Sequence, residues 1–196
     1  MATVFDKILK QGANSGKVPA QSAAAKKWYR QTARDYGKVN SARLLKKDSS
    51  RLTVKPMVGQ LYMYYYDAKH KKTLPYFDRF PLVFPFKKVP DGFLGLNLHY
   101  LPLVLRAKLM DALYETSNNN NYDETTRLKL NYNMLDGAAK FAPFKPCVKR
   151  YLTTQVKSQF MYIYPTEWDI AIWLPTERFQ GASKQQVWTD SRKKIG

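Results

Sequence analysis

The sequence predicts an α+β fold: a small curved antiparallel β-sheet or barrel with helical insertions, preceded by an N-terminal helical segment. Three observations lead there. Short stretches rich in tyrosine and phenylalanine, such as Tyr62–Tyr66 and Phe160–Tyr164, have strand composition and are bounded by Pro and Gly. Segments with apolar residues three and four apart alternate with them. The first 55 residues differ from the rest, reading as helices with 13 Lys/Arg against 3 Asp/Glu. We therefore divide the chain into a basic helical N-terminal segment or arm, 1–55, and an α+β main domain, 56–196, joined through the polar linker KKDSSRLTVKP (46–56).

Within residues 1–18, Phe5, Ile8 and Leu9 predict a short helix that Gly12 and Gly16 loosen, leaving either a frayed tail or an arm ordered by a partner. A longer helix is predicted over Pro19–Tyr36. Pro19 suits a first turn, Ala23–Ala25 favours helix, and Gly37 suits the position just past the end. Its buried stripe is Ala25, Tyr29, Ala33 and Tyr36. Lys26, Arg30 and Arg34 fall four apart on a neighbouring face, with Lys27 and Lys38 close by. Like charges at that spacing repel by roughly a few tenths of a kcal/mol per pair. Either an anion lies alongside or the face is simply solvated. Asn40 or Ser41 caps a short helix over Ala42–Lys47, with Leu44 and Leu45 as its apolar face.

The main domain opens with a strand over Gly59–Asp67, apolar on both faces, in which Tyr62, Tyr64 and Tyr66 alternate with Met63 and Tyr65. A basic turn, Asp67–Lys72, leads into a return strand, Thr73–Phe86, that Pro75, Pro81 and Pro85 confine to an edge or break. Asp91-Gly92 is a tight turn, and Phe93–Leu101 a strand in which Gly95 marks a bulge or a close approach. Pro102 opens a helix to about Glu115, with Leu105, Leu109 and Leu113 four apart. After the Asn118–Asn121 loop, Asp123 caps a helix with Leu128, Tyr132 and Leu135 as its stripe and Gly137 at its end. The alternation Leu128, Leu130, Tyr132, Met134 fits a strand as well. A short basic helix is expected over Val148–Leu152, and a strand over Phe160–Tyr164. Pro165–Glu167 reads as a turn, and Trp168, Ile170, Ile172 and Leu174 as a further strand. A final helix runs from the cap Ser183 to about Arg192.

Charge is the strongest compositional feature: 33 Lys+Arg against 15 Asp+Glu, a formal net charge of +18. Such a surplus attracts polyanions, nucleic acid first among them, since phosphates supply charge density and salt-dependent affinity. The alternatives are a basic surface kept for solubility or a basic interface with an acidic protein. The single cysteine, Cys147, excludes a disulfide framework and a zinc cage. No apolar run approaches the ~18 residues of a membrane span, and the N-terminus lacks a secretory h-region. A soluble protein made in a reducing compartment is expected.

Candidate chemistry is sparse. His70 lies in a lysine-rich turn and His99 in a predicted strand, where a packed histidine outweighs a catalytic one. Cys147 follows Pro146 in a basic loop and reads as structural, having no histidine near it in sequence. No phosphate-cradling glycine loop or dinucleotide fingerprint is present. Asp67, Asp91 and Lys69 are the parts of a metal-dependent nuclease site, two acids for a divalent cation and a lysine for the attacked phosphate. Their order is reversed from the usual one. Exposed tyrosines beside Lys69, Lys71 and Lys72 would suit stacking on bases, although most tyrosines in such a strand are core.

The stretches GQLYMYYYDAKHKKTLPYFDRFPLVFPF, DGFLGLNLHYLPLVLRAKLMDAL, EWDIAIWLPTERF and QVWTDSRKK, with AKKWYRQTARDYGKVNSARLLK near the start, resemble the DNA end protector family of T-even-like tailed phages, in its cyanophage form. The resemblance spans nearly the whole chain. It implies a virion protein, made in the host cytoplasm, that binds the termini of packaged double-stranded DNA near the portal and neck and shields them from host exonuclease. It implies no enzyme activity and no cofactor. Its partners would be DNA ends and portal, neck or other virion proteins, with homo-oligomerisation open and no membrane contact. The residues themselves nominate Lys26, Lys27, Arg30, Arg34, Lys69, Lys71 and Lys72 for backbone contacts. Two other functions remain open: a structural adaptor of the head-neck or tail baseplate that never touches DNA, and the metal-dependent nuclease.

Overall fold

A computed structural model of the protein describes residues 2–19, 21–117 and 121–194. Helix α1 (Val4–Asn14) opens with a capping box: the Thr3 hydroxyl accepts from the Asp6 N–H, and the Asp6 carboxylate accepts from the Thr3 N–H. Val4, Phe5 and Ile8 are buried. Gly12 does not loosen the helix. It lies inside α1 against the Tyr29 ring, where a Cβ would overlap the phenol, and the Tyr29 hydroxyl donates to the Lys17 carbonyl at 2.9 Å. Residues 4–14 therefore form a helix packed against the rest of the fold. Gly12→Ala is expected to lower stability by about 1–3 kcal/mol through this overpacking, read as a fall in the urea midpoint at constant m-value.

Helix α2 (Ala23–Asp35) starts later than Pro19 suggests, because Ser22 caps it by accepting from the Ala25 N–H. Ala25, Tyr29 and Ala33 are buried, but Tyr36 is 41% exposed: it sits beyond the last turn, and Gly37 reverses the chain with φ +79°. Helix α3 (Ser41–Lys47) is capped by Asn40 and buries Leu44 and Leu45. The polar 46–56 stretch is more than a linker. Arg51 is buried and paired with Glu167 at 2.8 Å, and β1 (Leu52–Thr53) joins the sheet.

Strands β2 (Leu61–Met63), β4 (Leu82–Val89) and β5 (Gly92–Asn97) follow, with the short β3 (Phe77–Asp78) before β4. Pro90 and Asp91 form the two-residue hairpin loop between β4 and β5. Helices α4 (Leu103–Ser117) and α5 (Glu124–Lys140) come next. Asn118–Asn120 of the predicted loop lie outside the described residues. The helical reading of α5 holds over the strand alternative, and the helix runs past Gly137. Leu135 is buried in it and Tyr132 exposed; the Leu128 side chain is outside the described ones. Then come β6 (Val148–Leu152), β7 (Phe160–Ile163), α6 (Trp168–Ala171), β8 (Phe179–Gln180) and α7 (Lys184–Lys193), which Ser183 caps.

The main sheet is antiparallel and open, in the order β1-β7-β2-β4-β5-β6; β3 and β8 form a separate two-stranded ribbon. Of the two shapes predicted, the open sheet is the one adopted. Three local expectations fail for physical reasons. Residues 148–152 form an edge strand paired with β5 rather than a helix, since tertiary pairing overrides weak propensity in five residues. Residues 168–171 are helical because both faces are buried, so apolar alternation carries no period. Pro85 sits inside β4, opposite Gly95, where a bulge shifts the register. Its polar backbone atoms face the end of β2, and its carbonyl accepts from the Gly59 N–H, so the missing proline N–H disrupts no ladder bond.

Both sheet faces are covered. On one, Leu61, Met63, Phe84, Leu96 and Ile163 share a core with Phe5, Ile8, Tyr29, Trp168 and Ile170. On the other, Tyr62, Tyr64, Tyr66, Phe93, Tyr151 and Phe160 make an aromatic cluster. The tyrosine alternation thus places Tyr62, Tyr64 and Tyr66 in a core, with Tyr62 and Tyr64 out of reach of bases.

Candidate nucleic-acid interface

The seven basic residues nominated from the sequence divide into different environments. Lys26, Lys27, Arg30 and Arg34 line one cavity of about 400 Å³ beside Trp173, so α2 does present them together. Two of them are neutralised within the fold. Arg30 pairs with Asp169 at 2.6 Å and Asp111 at 2.7 Å, and Lys26 with Asp111 at 3.2 Å. Burial works against the Arg30 charge, but Asp111 and Asp169 outweigh it and hold the guanidinium above its ordinary pKa. Burial lifts the Asp169 carboxyl despite Arg30, while the more exposed Asp111 is held below the usual range by its two cations, against the opposing effect of burial. Lys27 and Arg34 remain exposed. Around the 67–72 turn, Lys71 is tied to Asp67 at 2.8 Å; Lys72 is exposed; Lys69 lines a second, larger cleft.

That cleft, about 680 Å³, is built from five separated stretches of chain. The 66–78 segment brings Tyr66, Lys69, His70 and Tyr76. The β4–β5 hairpin brings Asp91, the end of the following 3-10 turn brings Tyr100, β6 brings Lys149, Arg150 and Tyr151, and the end of α7 brings Lys194. At the rim Arg150 holds Asp91 at 2.6 Å. Deeper, the Lys149 ammonium lies 4.1 Å from the centre of the Tyr100 ring. Burial, with Lys194 adding like-charge repulsion, lowers Lys149 to a pKa of about 8.

The floor is held by a buried polar network. Asp78 accepts from His99 Nδ1 at 2.6 Å, from Asn97 Nδ2 at 3.2 Å, and from the backbone N–H groups of Phe80 and Arg178. Asn97 Nδ2 also reaches the Tyr151 hydroxyl at 2.9 Å, and His99 Nε2 lies 3.1 Å from Thr176 Oγ1. His99 is fully buried and acts as a strut, in line with the packed reading; His70 is exposed at the cleft. Cys147 is buried, and burial pushes its thiol up to about 12, far from a reactive thiolate.

Of the parts of the nuclease reading, Asp67 is paired with Lys71 and Asp91 with Arg150. Among the described residues no group of three or more His, Cys, Asp or Glu side chains is placed to hold a metal ion, and no helix is long and apolar enough to cross a membrane. Sequence reasoning missed Tyr76, Tyr100, Lys149, Arg150 and Lys194 as site residues. A signal existed for one pair: read as a strand, the run around Lys149 puts Lys149 and Tyr151 on the same face.

No match was found among curated proteins or among solved structures. A family model described as "Phage T4 terminal DNA protecting protein" matches residues 2–193, nearly the whole chain; the protein belongs to that family of phage proteins that protect DNA ends.

Proposed function

We propose that the protein is a non-catalytic component of the phage virion that binds the termini of packaged double-stranded DNA near the portal and neck and shields them from exonuclease. The observation that carries this reading is a cationic, aromatic-walled cleft in a chain of a terminal-DNA-protecting family. Phosphate contacts supply sequence-independent affinity, and the partly exposed Tyr76 and Phe77 are the wall aromatics that can meet a terminal base. Supporting a non-catalytic role, the acids at the cleft and turn are occupied by cations of the same chain, and His99 is locked in the floor. The DNA-contacting set is Lys27, Arg34, Lys69 and Lys72, joined by Lys149 and Lys194, while Arg150 is held by Asp91 at the rim. Lys26, Arg30 and Lys71 contribute chiefly through their own carboxylate partners.

The test is exonuclease digestion of linear duplex at physiological salt, with covalently closed circular DNA as competitor. Protection that the circular competitor does not abolish supports the reading; unprotected ends, or protection lost equally to circles, overturn it in favour of a structural adaptor. Lys27→Gln combined with Arg34→Gln is expected to weaken binding and to flatten the slope of log affinity against log salt by about 2, since each phosphate contact contributes roughly 0.9. An unchanged slope would remove the α2 face from the interface.

A further inference from the structure

The geometry points to the Lys149–Lys194 end of the large cleft as the seat of a terminal phosphomonoester on a DNA strand, with the adjoining base against Tyr76 and Leu74. This deepens the end-binding reading and rests on it. Backbone phosphates lie on the outside of a duplex and are met by projecting side chains. A cleft of about 680 Å³ has instead the size of a site for one small molecule, which fits a single nucleotide at a frayed strand end. Its wall carries the cations Lys69, Lys149, Arg150 and Lys194 against only two carboxylates, Asp78 and Asp91. Both acids are already engaged, Asp91 by Arg150 and Asp78 by the His99 network. Among the described residues no carboxylate pairs with Lys149, although its ammonium is packed on Tyr100. A monoester brings about −1.5 to −2 charges, more than the single charge of an internal diester. It is the group that a poorly solvated lysine with a second lysine nearby recognises best. Tyr76, whose hydroxyl lies by the Asp190 carboxylate, adjoins Tyr100, ring centres 6.1 Å apart, and Leu74 is exposed at 43%, so a ring face and an apolar side chain stand next to the cationic seat. The lowered pKa of Lys149 agrees with this, since an anion would relieve both of its causes.

The experiment measures binding by fluorescence anisotropy to hairpin duplexes with one blunt open end, carrying a 5′-phosphate, a 3′-phosphate or hydroxyls only, beside a dumbbell closed at both ends. One monoester end is expected to bind roughly tenfold tighter than the hydroxyl end, and the arm that does so identifies the strand terminus. Lys149→Met should erase the difference and Lys149→Arg should keep most of it. Lys194→Gln, at an exposed position, should narrow it and covers the case in which Lys149→Met does not fold. Equal affinity for phosphate and hydroxyl ends, or a preference undiminished in both lysine variants, overturns the seat while leaving end binding intact. A dumbbell bound as tightly as the open hairpins overturns end binding itself.

Discussion

Arg30→Gln is expected to destabilise the protein by about 3–5 kcal/mol, the cost of stripping a buried charge of its partner. Asp169 is 1% exposed, one of its oxygens accepts from Arg30 Nε at 2.6 Å, and its other oxygen has no hydrogen-bond partner among the described residues. Without the guanidinium the carboxylate must either remain charged in the core or take up a proton. Lys26→Gln should cost under about 1 kcal/mol, because its partner Asp111 is 43% exposed and keeps Arg30. Urea unfolding of the two variants checks the contrast; similar losses for both would mean that water reaches Asp169. The pair also bears on DNA-binding assays, since a loss of binding in Arg30→Gln has to be corrected for the unfolded fraction before it says anything about phosphate contacts.

Above pH 10 the protein is expected to lose stability steeply and unfold. Tyr64, Tyr100, Tyr114 and Tyr151 are all held well above their ordinary pKa of 10.0, in every case chiefly by burial. Their folded pKa values are raised, so the stability they confer is complete below pH 10. It drains away as the unfolded chain begins to ionise its tyrosines while the folded protein cannot. Four such groups steepen the loss towards about 5 kcal/mol per pH unit. That exhausts the ~5–15 kcal/mol of an ordinary domain within about one to three units. Tyrosinate absorbance and far-ultraviolet circular dichroism should therefore change in one concerted transition. Stepwise ionisation of these tyrosines with the fold intact would contradict the burial argument. Tyr64→Phe, which removes a hydroxyl that has no hydrogen-bond partner among the described residues, should flatten the slope by one proton without weakening the fold at neutral pH.

What could be read from the residues was local. Asn40, Asp123 and Ser183 announce helix starts, Gly37 a helix end, and Asp91-Gly92 a hairpin, because each acts through atoms two or three residues away. The strand character of Phe160–Ile163 was legible from composition. What escaped depends on distant partners. The carboxylates that claim Arg30 lie 81 and 139 residues further on, and no charge count along the chain detects them. Residues 148–152 become a strand only because β5 is there to pair with. The large cleft is assembled from five stretches, of which the sequence singled out two, the Lys69–Lys72 turn and the hairpin at Asp91. Basic character and aromatic abundance were visible as quantities; their convergence on one hollow was not.

The hydrogen-bonded floor beneath that hollow has a kinetic consequence. With Asp78 clamped by four donors and Tyr151 fixed through Asn97, a cleft that binds as proposed has little rearranging to do when its ligand arrives. Capture is then governed by diffusion and long-range attraction rather than by slow remodelling of the host. Occupancy would be won quickly and, as ionic strength rises, lost mainly through slower encounter.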